Sequence, residues 1–412
     1  QVYTPIDGLA SNDVTSVAVD NQFVWFGTRY NGVSRYDKVN NTWQTFTKAD
    51  GLTNNDVTAI AVGTDSVWIG SWDGAARYDK TTGSIEAYRI AETQPGNFIN
   101  DIALDENLVW FATYDGVRRY DKRANTWQGY TTNDGLAHNQ VCSIGADKNY
   151  IWFGAPDGLV SRYDTQNNLF NVFVTSANQP ENRVNSIAIG TNSVWFATNK
   201  GITQYDKPDN LWKTFTAQDG LAGNYVKAAA IDNDTIWAGG KDGVSKYTPL
   251  TPWQTYTTSD GLSDNEVTSL DIDNEIIWFG TVKGGLSQYN KTSKSFRSFT
   301  TKDGLLNNYV KAVAKDTAYI WSATGDGISR YERIGGSFQN FRYDVELLPY
   351  GGRGLELHSS IIDTEHISLI NTGKFDSEVE VEFGLNKTEE RQQKAFGRLL
   401  RNKNVVRVLF LD

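Results

Sequence analysis

The chain has no methionine, one cysteine and three histidines among its 412 residues. Each scarcity excludes a class of chemistry. A lone thiol, Cys142, rules out an intrachain disulfide and a thiolate metal cluster. His138 stands by itself in "DGLAHN", while His358 and His366 are spaced unlike any common zinc pair. Neither a GxSxG elbow nor a P-loop occurs. Apolar runs extend only a few residues, too short for a membrane-spanning helix. No basic, apolar, small-residue leader stands at the start. With Gln1 first and no methionine anywhere, a removed export signal is expected, and with it an extracellular or cell-surface location. Positive charge is also in deficit. A net charge of −10 without a clustered basic face argues against nucleic acid as a partner.

What is abundant is aromatic and periodic. Tryptophan recurs as Trp25, Trp68, Trp110, Trp152, Trp195, Trp237, Trp278 and Trp321, at intervals of 41 to 43 residues. Asparagine keeps the same phase as Asn12, Asn55, Asn97, Asn139, Asn182, Asn224, Asn265 and Asn308. A tyrosine follows each tryptophan, from Tyr36 to Tyr331. Each unit reads as four short strands: alternating "DVTSVAVD", apolar "VWFGT", then "GVSRYDK" after a glycine, then "TWQTFT". Turn signals separate them. One twisted four-stranded sheet cannot bury both faces, whereas sheets stacked in a ring cover one another. The period therefore predicts an all-β, eight-bladed β-propeller over residues 1–342.

The landmarks then acquire structural roles. Tryptophan fills the wedge between blades. Gly27, Gly70, Gly154 and Gly280 allow the next sheet to approach closely. The repeating asparagine is expected to bond nearby backbone ahead of the first strand. Nine segments compete for eight outer-strand positions, because "VYTPIDGL" at the start resembles "TFTKADGL". Either the N-terminal strand clasps the last blade or one strand is spare.

The pattern "DGLxxNxVxxI…xxIWFGTxxGVSRYD" resembles the two-component-regulator propeller repeat of bacterial ligand-sensing domains and many secreted proteins. The resemblance spans roughly residues 1–342 and implies an extracytoplasmic propeller. In sensors of that family an immunoglobulin-like domain, a membrane helix and a kinase follow; here neither a membrane helix nor a kinase follows the repeats.

Residues 343–412 read as a small α+β domain. "SEVEVEF" alternates as a strand, and "NKTEERQQKAFGRLLRNKN" reads as a helix near 388–402, opened by an Asn386–Glu389 capping box. "VVRVLFLD" finishes as an apolar strand, which needs a partner or becomes an association edge.

Departures from the repeat mark the candidate site. In the turn between second and third strands, units one to three carry Tyr30, Trp72 and Tyr114, with Asp73 and Asp115 beside the last two. Exposed rings flanked by acceptors form a stacking platform of the kind sugars and protein partners favour. Calcium is the one cofactor considered, through Asp232, Asp234, Asp271 and Asp273 in strand-connecting turns that lack the full EF-hand pattern. A basic residue before the repeat tyrosine (Arg35, Arg77, Arg119, Arg162, Lys246, Arg330) invites an anion-binding ring; pairing with the aspartates of "DGL" and "YDK" is the plainer expectation. The function expected is a non-catalytic binding module for a glycan or protein. The alternatives are a structural subunit of a surface layer, sheath or filament, self-assembling as a homopolymer through its terminal strands, and a propeller-type polysaccharide lyase.

Overall fold

The computed structural model describes residues 2–3, 8–92, 94–175, 182–333, 337–338, 344–346, 368–370, 380–384, 394–402 and 405–410. The chain divides into two compact units, residues 1–339 and 340–412.

Unit one is the eight-bladed propeller. Seven sheets have four antiparallel strands joined in sequence order, from Val14–Val19, Phe23–Thr28, Gly32–Asp37 and Thr42–Phe46 onward. The eighth is different. Its third strand, Gly327–Glu332, carries two half-strands on one edge: Val2 and Tyr3 oppose Ser329 and Ile328, while Phe338 and Ser337 oppose Tyr331 and Glu332. Both ends of the propeller thus share the place of one outer strand, and the N-terminal strand is not spare.

Blade packing follows the sequence landmarks. Trp25 is fully buried beside Tyr78 of the next blade, with ring centroids 4.9 Å apart. A Cβ added at Gly27 would lie 2.6 Å from Val57 of that blade, and one at Gly154 would lie 2.5 Å from Val184. Glycine is therefore what lets these sheets touch.

Three rings of polar contacts stitch neighbouring blades. In the first, Arg119 and Arg162 donate to Tyr163 and Tyr205 of the following blade at 3.3 and 3.0 Å. Arg35 does the same to Tyr78, and Arg330 closes the circle on Tyr36 at 3.1 Å. The guanidinium groups also lie over rings, as Arg162 does over Tyr150 at 4.6 Å. This corrects the aspartate pairing expected for the basic position. Arg77 keeps it, 3.6 Å from Asp79, whereas the other four guanidiniums reach the tyrosine hydroxyl of the next blade and Lys246 lies over Trp237 at 5.3 Å.

In the second ring, the cation after "YD" reaches back to an aspartate in the first hairpin of the preceding blade. Lys80 meets Asp20 at 2.9 Å, Lys207 meets Asp147 at 2.6 Å, and Lys38 joins blade one to Asp316 of blade eight at 3.4 Å. In the third, a bulged residue in the innermost strand donates to the next blade's backbone. Thr15 donates to the Val57 carbonyl at 2.7 Å, and Asn185 to that of Val226 at 2.8 Å.

One inner-strand residue has a cost that depends on pH. Asp101 accepts the N–H of Ile144 on the next blade at 3.0 Å and that of Ile102 at 2.9 Å. Burial nevertheless dominates and pushes its carboxyl up to about 6, from 3.8. The folded state therefore holds this proton more tightly than the unfolded chain does. Its destabilising effect is absent below pH 4, grows as pH rises from about 4 to 6, and then stays, at about 3 kcal/mol. Asp101→Asn keeps a carbonyl for Ile144 and removes the charge. Denaturation curves are expected to show the variant gaining about 3 kcal/mol on the parent between pH 4 and 7; a constant difference would refute the assignment.

Unit two is a five-stranded sheet in the order Asp344–Glu346, Ser368–Ile370, Val405–Phe410, Lys394–Asn402 and Glu380–Gly384. The apolar C-terminal strand is its centre, paired on both sides. Where a helix was expected near 388–402, Lys394–Asn402 is a strand in register with Val405–Phe410, Asn402 opposite Val405. Gly397 weakens a helix at its middle, and non-local pairing overrides a local preference; residues 388–393 lie outside the described residues.

Candidate functional site

The turns between second and third strands lie on the same face as the segments that lead into each blade. Gly32 donates its N–H to the Asn55 carbonyl at 2.8 Å, and Trp72 donates to that of Asp56 at 3.1 Å. A Ser or Thr ending the second strand clamps the turn in six of the eight blades, Ala155 and Gly240 standing there in blades four and six. Ser71 Oγ donates to the Gly74 carbonyl at 2.9 Å, and Thr113 Oγ1 to that of Gly116 at 2.8 Å. Side chains at the turn tips are thereby held outward.

The repeating asparagine caps this face. Asn55 accepts the N–H of Lys48 at 2.7 Å, and Asn139, Asn224, Asn265 and Asn308 repeat the bond seven residues back. Each closes a short 3-10 turn whose own cap is a Thr and whose Asp bonds back to that Thr, as in Thr47 and Asp50. Seven residues before Asn12 stands Pro5, which has no N–H to give. Asn97 instead bonds both ways to Ala91, accepting at 2.9 Å and donating at 2.8 Å.

Blade three is entered by a different chain, "RIAETQPGN", without the "DGL" turn. Arg118 takes up the difference. It occupies a position where units one, four, six, seven and eight have a serine that accepts a backbone N–H, as Ser34 does from Ala10 at 2.6 Å. Arg118 donates instead to the carbonyls of Ile90, Asp115 and Val117 at 3.2, 3.1 and 3.3 Å. Burial lowers its pKa, opposed by Asp115.

On this altered support stands the site. Phe98 inserts between Trp72 and Tyr114, edge-to-face with each, at centroid separations of 4.5 and 4.6 Å. Trp72 is 50% exposed and Tyr114 42% exposed. The three rings make one crest across blades two and three. Tyr30 is not part of it. It projects alone from a longer turn, 69% exposed, with its backbone in the left-handed region at φ 70°. Beside the crest, Asp73 Oδ1 is shielded from solvent and meets no hydrogen-bond donor among the described residues. Asp115 faces the charge of Arg118. Nearby, burial raises the pKa of Asp56; Arg29 counteracts this and the like charge of Asp13 adds to it.

Phe98 and Arg118 were the residues missed in the sequence. Both had a signal. Phe98 follows the repeat asparagine where units one, two, four, five and seven have Asp, Gln, Arg or Glu, and Arg118 replaces the serine of "GVSRYD".

Of the four aspartates considered for calcium, three have partners within the protein. Lys291 lies 2.5 Å from Asp232, and Arg333 is ion-paired with Asp273. Asp271 accepts the Lys315 N–H at 2.8 Å, and Asp234 is exposed. No group of three or more His, Cys, Asp or Glu able to hold a metal ion occurs among the described residues. His138 Nδ1 accepts the Gln140 N–H at 2.9 Å, within its own turn. His358 and His366 lie outside the described residues. No helix among the described residues is long and apolar enough to cross a membrane.

No family model and no curated protein matches the chain. Solved structures do. The computationally designed Ika8 protein is similar at 15% identity over 86% of this chain and 96% of its own, with a TM-score of 0.55. BamB from Moraxella catarrhalis is similar at 13% identity over 80% and 95%, with a TM-score of 0.56. The extracellular domain of the putative hybrid two component system BT4673 from B. thetaiotaomicron is matched at 16% identity, over 96% of this chain and 65% of that one, with a TM-score of 0.41. At such identities the likeness is one of fold.

Proposed function

We propose that this protein is a non-catalytic, extracellular recognition module that binds a carbohydrate on the crest formed by Trp72, Phe98 and Tyr114. The observation that carries the reading is the edge-to-face chain of three rings, with two of them substantially exposed, at the place where the repeat breaks. Polar groups that recur around the ring are occupied in holding it together, whereas Trp72 and Tyr114 of the crest stay substantially exposed. Flat apolar faces of sugar rings stack on such side chains. The repeat's resemblance to propellers of ligand-sensing domains agrees with this role.

The test is an oligosaccharide panel read by calorimetry, on the parent and on Trp72→Ala with Tyr114→Ala. Loss of two central aromatic contacts is expected to weaken binding by about 2 kcal/mol, roughly thirtyfold, with the thermal midpoint unchanged. Binding unaffected by the pair would exclude the crest. A protein captured through the crest with no saccharide bound would replace the ligand class and keep the site.

A further inference from the structure

The outer strand of blade four, Leu169–Val174, departs from its counterparts in a way that blade packing does not use. Its sequence is LFNVFV, with no charge, proline or glycine. Phe170 and Phe173 turn inward, onto Tyr163 at 4.8 Å and Trp212 at 4.7 Å. Leu169, Val172 and Val174 remain 62, 49 and 46% exposed. Val172 stands where the other outer strands have Thr45, Ala87, Gly129, Thr214, Thr255 and Ser298. Val174 replaces the threonine that caps the turn in five units.

This strand is also the last of its sheet, so among the described residues one row of its backbone N–H and C=O groups has no partner strand. Edges are normally guarded by charge, proline or glycine. Glu86, Gly129, Lys213, Pro252 and Arg297 provide this in five other blades; blade four has nothing equivalent, and unlike blade one (Thr42–Phe46, TWQTF) it exposes aliphatic side chains as well.

We propose that this edge pairs with the same edge of a second copy of the chain, antiparallel, joining the two fourth blades into one continuous sheet. The occupant follows from charge. Around a two-fold axis every residue of the strand faces its own strand again, so a single charge would repel itself. A strand of six uncharged residues, exposing Leu169, Val172 and Val174 beside the neutral Asn171, is compatible with itself. The pairing lies on the outer rim and is independent of the aromatic crest.

Light scattering after size exclusion, at about 100 µM chain, is expected to give twice the 46.0 kDa monomer mass. Val172→Lys with Val174→Lys puts like charges across the axis and is expected to give a monomer under the same conditions, with the thermal midpoint unchanged. Amide exchange at residues 169–174 should slow with concentration in the parent only. A parent that is monomeric at that concentration overturns the proposal, as does a dimer that survives the double substitution.

Discussion

Trp321→Ala is expected to cost about 4 kcal/mol and to open the propeller at one particular seam. Trp321 is fully buried between blades eight and one, with Phe26 at 5.7 Å and Tyr36 at 5.5 Å across the interface. Its Nε1–H donates to Asp316 at 2.9 Å, and Asp316 holds Lys38 of blade one. Removing the indole therefore leaves a cavity and strips a donor from a carboxylate that links the two blades. Closure is non-covalent within blade eight, because its outer-strand place is shared by two half-strands held to Gly327–Glu332 only by ladder hydrogen bonds. Trp110→Ala removes the same volume at an ordinary seam, against Tyr130 and Tyr163. Denaturation should find both variants weakened. Hydrogen exchange should rise in blades one and eight only for Trp321→Ala. Equal and evenly spread exchange in the two variants would mean that the closing seam is no weaker than the rest.

Gly116→Ala comes second and acts on fold and site together. Gly116 has φ 94°, and a Cβ there would sit 2.2 Å from the Tyr130 carbonyl oxygen and 3.3 Å from Arg118 Nη1. Backbone cannot yield as a flexible side chain can. Left-handed strain of about 1–2 kcal/mol is joined by a steric term, for a total of about 3 kcal/mol. The turn it closes carries Tyr114 and Asp115, so saccharide binding should fall as well. Gly83→Ala is the comparison: φ is 72°, but the nearest atom is the Tyr78 hydroxyl at 3.7 Å. It should cost only the strain, about 1 kcal/mol, and leave binding intact. A Gly116→Ala variant no weaker than Gly83→Ala would mean that the turn can relax away from Tyr130.

Much of the architecture was legible because it rests on period and on local chemistry. A tryptophan every 41 to 43 residues, a glycine behind several of them and an asparagine ahead of each first strand give blade number, strand number and turn chemistry. Such features repeat, and repetition separates signal from noise in a single chain. The crest was half legible. Trp72 and Tyr114 stand out in one column of the repeat, but Phe98 belongs to another column, and only folding brings the columns within 4.6 Å.

Contacts between blades lay beyond the sequence for a related reason. Arg35 and Tyr78 are a full repeat apart, so the chain alone cannot distinguish that partner from the aspartates close by in sequence. Pairing in the second unit overrode a helical stripe in the same way, since strand ladders are set by distant segments. By itself, then, the sequence determined an eight-fold, all-β ring with capped turns, because those depend on periodicity and backbone preference. Tertiary structure alone decided that both ends of the propeller share the last outer strand, which groups become ion pairs, and which three rings meet in one crest. Those outcomes depend on distances between residues far apart in the chain, and linear spacing does not encode such distances.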